Sequence, residues 1–518
     1  MSAASIARWL DRLAGAVGAA LLSTLVVWWA RPEILFLVLL GVLSFRWAVA
    51  PVAVPEFRPR RVLAVATGLY AAVFSFVTVT RHLTFQTHAL DLGYYVQLVW
   101  SLASGRGPRV SLPEMHAWGD HLSPIVYLFA PLFWLAPGAG VLLVGQSVAL
   151  ALGALAVFAL ARLRLGDEQW AAALAVLYLV NPSLHGINVR DFHAAALAIP
   201  LLLAAMFFAE SGRPWLLAAA AALVLLCRED AAIAVVGLGL WLAARRRWLW
   251  GGLVVTGALA VLAVDVNWVI PHYRGAPYPH LGRYTRLGRS LGAIAEGALA
   301  HPIAALAGVA GGARVVYALA MLVPLGFLPL LGGWDLVGVL PGLAENLLGD
   351  DPILYHYRSQ YQSFVLPFLV LAAIGGLARL LALRPARWAR ALMVCSIVAS
   401  LVLAANTVNS LAVARWWPSP DQRAARALLR RIPAEASVSA QERYVPHLSL
   451  RSRVFVFPTE IERSDYVVVN RTSYPWRDLP GATMTRDGSA VTIGLADGRQ
   501  FHFSVVGEAG PHTVMRRL

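Results

Sequence analysis

Repeated apolar stretches, many of them about 17–23 residues long, constrain this chain more than any other feature, because that length crosses the ~30 Å hydrocarbon core of a bilayer as a helix. They fall near 14–30, 34–54, 62–80, 139–161, 169–184, 193–209, 214–227, 231–244, 248–270, 313–332, 334–349, 362–383 and 389–411. The shorter ones predict tilted, broken or partly inserted helices. Of the 518 residues, 59% are hydrophobic and only 14% are charged, against about 25% in ordinary soluble domains. The pattern predicts an α-helical polytopic membrane protein with about 11–13 transmembrane helices.

Arginine placement orients these helices. Arg58, Arg60 and Arg61 precede the third stretch, Arg162 and Arg164 follow the fourth, and Arg213 follows the sixth. Arg245, Arg246 and Arg247 follow the eighth, while Arg384, Arg387 and Arg390 divide the last two. With a cytoplasmic N-terminus, alternation puts every cluster inside, as the positive-inside rule requires, provided 122–136 does not cross. That segment is short and bounded by Pro124 and Pro137, which suits a re-entrant or interfacial helix. Segments 81–121, 181–193, 228–230, 271–300, 345–361 and the tail from Arg415 then lie outside. The expected location is the inner (plasma) membrane. Arg8 and Arg12 precede the first stretch without a small-residue cleavage site, predicting a retained signal anchor. The expected division is an N-terminal hairpin (1–61), a membrane domain (62–414) with a first outer loop at 81–138, and an extracytoplasmic domain (415–518).

The net charge of +15 rests on 43 arginines and no lysine. Schiff-base chemistry and a phosphate-loop lysine are therefore excluded. Arginines at helix ends argue against a nucleic-acid partner. Cys227 and Cys395 lie in separate apolar stretches, as helix-packing residues do.

Polar residues concentrate in the outer segments. Asp91 opens a predicted helix, Leu92–Ser104, closed by Gly105; an aspartate there is either an N-cap or a surface carboxylate serving as base or ligand. Asp120-His121, just after His116, suits a metal site or an aspartate-oriented imidazole. Asn188-Val-Arg-Asp191-Phe-His193 repeats the theme in the next outer turn. Arg228-Glu229-Asp230 sets three charges between apolar stretches, where charge is expensive and usually paired or functional. Arg228 is the expected phosphate holder. The loop carrying Tyr273 and Arg283 mixes aromatics with arginines, which suits sugars and phosphates. Glu345, His356 and Arg358 complete the set. Asp91, Asp120 and His121 are thus the catalytic candidates and a candidate site for a divalent metal (Mg or Mn). Gln97, Asp191, His193, Arg228, Glu229, Asp230, Tyr273, Arg283, Glu345, His356 and Arg358 are the candidate substrate contacts.

The tail reads as a small α/β domain. Pro420–Ile432 is an amphipathic helix, and Val438, Val454–Phe457 and Tyr466–Val469 are short strands. Thr483–Val506 is a hairpin with turns at Asp487-Gly488 and Asp497-Gly498.

The motifs Leu90-Asp91-Leu-Gly-Tyr-Tyr-Val-Gln97, Gly105-Arg-Gly107, Gly119-Asp120-His121-Leu-Ser-Pro124, Asn188–His193, Arg228-Glu229-Asp230 and His356-Tyr357 together resemble the domain of unknown function 2079 family. That family is similar to the C-type (GT-C) glycosyltransferases. The resemblance implies a GT-C-like fold, Asp91 as the acidic residue of the first outer loop, and sugars carried on polyprenyl phosphate. An envelope acceptor would receive the sugar. The chain departs from the superfamily in lacking its paired acidic motif. A transporter or lipid flippase, and a non-catalytic envelope protein, are the rival readings.

Overall fold

The computed structural model describes residues 3–23, 33–50, 57–300, 311–411, 417–472 and 482–518. Part of the first predicted stretch, residues 24–30, lies outside them. Five helices are long and apolar enough to cross a membrane: Pro59–Leu83, Ala139–Leu165, Trp248–Arg274, Leu366–Leu383 and Ala386–Ala404. Glu168–Leu179 and Pro182–Val189 pass the same test only as a pair, bent by 43° at the break between them. Several other predicted stretches become helices of 10–17 residues, including Pro214–Leu225 and Ala231–Ala244. The shorter stretches thus become short or broken helices, as expected. Polar groups at the breaks explain this, because backbone interrupted at membrane depth is tolerated only where protein satisfies it. Asn181 does so at one break, where its side chain accepts from Ser183 N and starts the helix Pro182–Val189. Residues 182–189 are consequently a buried helix rather than the surface turn expected.

Small residues let the helices close up. A Cβ on Gly237 would lie 2.4 Å from the Gly338 carbonyl oxygen, so the two backbones need glycine to touch. Arginine-bearing ends gather on one face. Arg164 pairs with Asp335 at 2.6 Å and with Glu210 at 2.8 Å, and Trp241 donates to Asp335. The 27-residue helix Ala139–Leu165 carries the chain about 40 Å from that face to the opposite one.

On the opposite face the loop after Pro59–Leu83 holds a short helix, Tyr94–Ala103, and a hairpin of β1 (Arg109–Ser111) and β2 (Glu114–His116). The segment Pro124–Leu135 is too short to cross and leaves Leu128, Trp134 and Leu135 exposed, as an interfacial helix does. The Trp134 indole donates to the Ala103 carbonyl and fixes it under the loop.

The tail begins with Pro420–Leu429, held by a Ser419/Gln422 capping box. Its strands are β3 (Val438–Ala440), β4 (Val454–Val456), β5 (Tyr466–Asn470), β6 (Thr483–Asp487), β7 (Ala490–Gly494), β8 (Gln500–Ala509) and β9 (His512–Arg517). They form one sheet in the order β4-β3-β5-β9-β8-β7-β6, parallel only across β4-β3-β5. The predicted turns at Gly488 and Gly498 both have positive φ, 59° and 85°, which glycine adopts without strain.

This domain is docked, not tethered. Phe85, Ala89 and Leu112 of the outer loop share a buried cluster with Leu428, Val438 and Val445 of the tail. Gln97 donates to Ser111 Oγ and to the Arg451 carbonyl, both at 2.9 Å, and accepts from Ser111 N at 2.8 Å. Gln97, an expected substrate contact, is a buried pin between loop and tail. Gln97→Ala should therefore cost about 1–3 kcal/mol, the usual result of stranding buried partners, and should make the 415–518 region more sensitive to limited proteolysis.

Candidate functional site

Asp91 sits in a π-type turn, Ala89–Gly93, that runs into the helix Tyr94–Ala103. The helix is preceded by Gly93 without a side-chain cap, so the N-cap reading of Asp91 is removed. Its carboxylate instead faces His193, whose Nε2 lies 3.2 Å away, and its side chain is 44% exposed. Asp191 accepts from the His88 backbone N–H at 2.8 Å, and its Oδ2 lies 3.0 Å from His88 Nδ1. Arg81 stands 3.8 Å from the other oxygen. Asp191 has φ of 71°, a left-handed conformation that costs a non-glycine residue free energy and tends to persist at functional sites. Gln146, an isolated amide within an apolar helix, holds that turn by donating to the Asp191 carbonyl and accepting from His193 N–H. Burial would raise the Asp91 pKa, but His193, His88 and Arg190 outweigh it and hold the carboxyl below its ordinary value. The bond to Asp191 raises the pKa of His88.

A second group lies around Gly119-Asp120-His121. A Cβ on Gly119 would meet the backbone of Tyr273 and Arg274 at 3.1 Å, which brings the loop close against that helix. His121 Nδ1 lies 2.8 Å from Glu229 Oε1, Tyr278 donates to the same oxygen at 2.8 Å, and Leu122 N–H donates to Oε2 at 3.1 Å. The carboxylate that orients His121 is therefore Glu229, not Asp120 as expected. Asp120 points instead toward His280 and Arg274, at 3.7 and 3.9 Å. The His121 and His280 rings stack, 4.4 Å apart and 4° from parallel. Burial alone would lower the His121 pKa, but Glu229 reverses the sign and raises it. Glu229 is correspondingly held low, with the cost of its burial outweighed by His121 and Arg228.

Arg228 does not reach out for a phosphate. It makes a two-pronged pair with Asp230 and lies over the rings of Tyr361 and Phe364, 5.1 and 5.5 Å from their centroids. Arg283 is less enclosed, with Asp351 3.7 Å from its Nε. Its guanidinium lies 5.1 Å from the Tyr361 ring centroid and it borders a cavity of about 220 Å³. Ile233, Leu262, Val266, Leu291 and Ile294 give this cavity apolar walls, and Asp230, Tyr278, His280, Arg283 and Glu345 give it a polar edge. The remaining candidates stand apart from it. Tyr273 stacks on His116 at 3.9 Å, and Arg358 packs its backbone against Gly186. Burial, with Arg190 and Arg358 nearby, lowers the pKa of His356 to about 4.

The expected metal set divides between the two groups. His88, Asp91 and Asp191 bring ligand atoms within 4.8 Å of one another, and so do Asp120, His121 and His280. His88 is already engaged by Asp191. His280 Nε2 is buried with no hydrogen-bonding partner among the described residues, and Glu229 occupies His121 Nδ1, which leaves Nε2 as the outward donor. A carboxylate behind an imidazole is the usual support for a metal-ligating histidine, but the parallel His121 and His280 rings direct their in-plane nitrogens side by side rather than at one point, so as placed this group does not fit a single ion held by both.

Fold and site together define a largely helical, multi-pass membrane protein with a C-terminal α/β domain docked against its first long loop. The chain belongs to the family described as predicted membrane protein (DUF2079), which matches residues 81–487. No curated protein matches it. Two solved structures of ArnT from Cupriavidus metallidurans are similar in fold at 12% identity. The apo form has a TM-score of 0.51, covering 89% of this chain and 99% of that one. The form bound to undecaprenyl phosphate has a TM-score of 0.49, covering 88% and 98%.

His88 and Gln146 carry much of the first group's geometry and were not singled out in the sequence. An amide inside an otherwise apolar run is a usable signal, since such groups are retained where something must be held. Tyr278 offered none, because its role depends on a glutamate 49 residues away.

Proposed function

We propose that the protein transfers a sugar from a polyprenyl-phosphate-linked donor to an acceptor on the outer face of the inner membrane. The observation that supports this most is the cavity with apolar walls and Arg283 at its polar edge. A prenyl chain ending in phosphate, the make-up of the undecaprenyl phosphate bound by ArnT, has matching chemistry.

Asp91 acts as the base. It is held ionised by its imidazole and arginine neighbours and is half open to an incoming hydroxyl. The acceptor O–H gives its proton to Asp91, the oxygen attacks the anomeric carbon, and the carbon–oxygen bond to phosphate breaks with its electron pair leaving on polyprenyl phosphate. The phosphate thereby gains one negative charge, which a nearby guanidinium stabilises more in the transition state than in the bound donor. Arg283 is assigned that role.

Purified protein in nanodiscs should transfer label from polyprenyl-phosphate sugars to an envelope extract. Absence of transfer from a panel of such donors would overturn the reading. Arg283→Ala should weaken donor use about 10- to 100-fold, the worth of one hydrogen bond to a charged group, seen in kcat/KM for the lipid-linked sugar.

A further inference from the structure

A second cavity, of about 440 Å³, lies where the first outer loop meets the tail domain, within the ~300–1,000 Å³ range of small-molecule sites. Nothing in the transfer chemistry above uses it. Three arginines converge on it from separate parts of the chain: Arg106 from the end of the first-loop helix, Arg109 from β1 and Arg453 from the tail. Arg106 stands in a turn whose flanking glycines, Gly105 and Gly107, have φ of 70° and 74°. That backbone favours glycine at both places and explains the Gly-Arg-Gly motif. The arginine is then fixed, its guanidinium 4.7 Å from the Trp100 ring centroid and bonded to the Ser452 hydroxyl. The guanidinium groups of Arg109 and Arg453 have no hydrogen-bond or ion-pair partner among the described residues. The one carboxylate in the wall, Glu114, is turned to Arg463 at 3.8 Å. Asp465 feels the charge of Arg453 but makes no ion pair with it, so three guanidinium groups face a wall with one carboxylate and positive charge exceeds negative around the cavity.

The cavity is too large for a lone anion, and its mixture of an aromatic ring, hydroxyls and guanidinium forks suits a sugar bearing carboxylate or phosphate groups. Its wall is also joined by packing to the second group of the candidate site. His116, in its wall, stacks on Tyr273, whose neighbour Arg274 donates to the Gly119 carbonyl beside Asp120. We infer that this cleft binds the acceptor and that the acceptor is an anionic saccharide; the word acceptor rests on the transferase reading, the anion site does not.

Calorimetric titration of the full-length protein in phosphatidylcholine nanodiscs with tetragalacturonate tests the inference, with maltotetraose as neutral counterpart. The acidic sugar should bind, bind less tightly as salt rises, and lose at least 10-fold in affinity in the R109Q/R453Q variant, whose side chains hold no other part of the fold. Adding R106Q should weaken it further. Equal binding of maltotetraose, unchanged affinity in the double variant, or no binding of tetragalacturonate would each overturn the proposal. So would displacement of the sugar by phosphatidylglycerol in the disc, which would make the cleft a lipid-headgroup site. Binding requires no donor, so a protein that binds the acidic sugar but transfers nothing would refute the transferase reading and leave the cleft, whereas transfer without such binding would do the reverse.

Discussion

Asp91→Asn is expected to reduce sugar transfer by about 10²- to 10⁴-fold, the range spanned by loss of a positioned general base, while leaving donor binding within about twofold. The structure supports the separation of the two effects. Asp91 caps no helix, so asparagine disturbs no backbone bond, and the cavity bordered by Arg283 does not include it. Thermal stability of the variant should stay close to that of the parent, because the side chain is half exposed. Asp120→Asn is the comparison. Among the described residues Asp120 pairs with His280 and Arg274 alone, at long range, and its loss should be felt mainly in KM. Single-turnover rates with labelled lipid-linked sugar decide between them. Full activity in Asp91→Asn would remove Asp91 from the mechanism, and a larger loss in Asp120→Asn would move the base to the second group.

The sequence was informative where the physics is local or set by solvent. Bilayer thickness and arginine placement disclose a multi-pass helical protein without any knowledge of packing, and alternation placed Asp91, Asp120, Asp191 and Glu229 in outer segments. The tail's hairpin was legible from Asp-Gly turns, whereas β9 was not, since its pattern His512-Thr-Val-Met-Arg-Arg517 carries no turn signal and becomes a strand by pairing between β5 and β8. Partner choice was the part that stayed hidden. Asp120 and His121 are adjacent and invited pairing, yet neighbouring side chains diverge, and His121 meets Glu229 across 108 residues. Arg228 read as a free cation because a sequence does not show that Asp230, two residues on, folds back onto it. The breaks in the apolar stretches were legible as polar residues. Their depth was not, because burial of 182–189 depends on Tyr70, Gln146 and Ser147 arriving from other helices to satisfy Asn188.

Glu229 should prove the residue this face of the protein can least do without for stability. It is almost fully buried at 1% exposure and accepts from the Leu122 backbone and Tyr278 as well as holding His121. Removing one partner of a buried pair costs about 3–5 kcal/mol because the other charge is left uncompensated, so Glu229→Ala should lower the thermal midpoint far more than Asp91→Asn. Glu229→Gln should lose less, since an amide oxygen can still accept from Leu122 N–H or Tyr278. The pair also fixes a pH signature, measured with chelator present so that no metal competes for His121. Glu229 titrates below its ordinary value of 4.5, so its contribution is complete above pH 4.5 and is lost as the pH falls through the folded value. His121 titrates above its ordinary 6.5, so its contribution is complete below pH 6.5 and is lost as the pH rises through the folded value. The two overlap fully between pH 4.5 and 6.5. The stability difference between parent and Glu229→Ala should therefore be greatest in that window and narrow on both sides. A difference independent of pH would mean that Glu229 acts through packing and neutral hydrogen bonds, and that His121 is not charged in the folded protein.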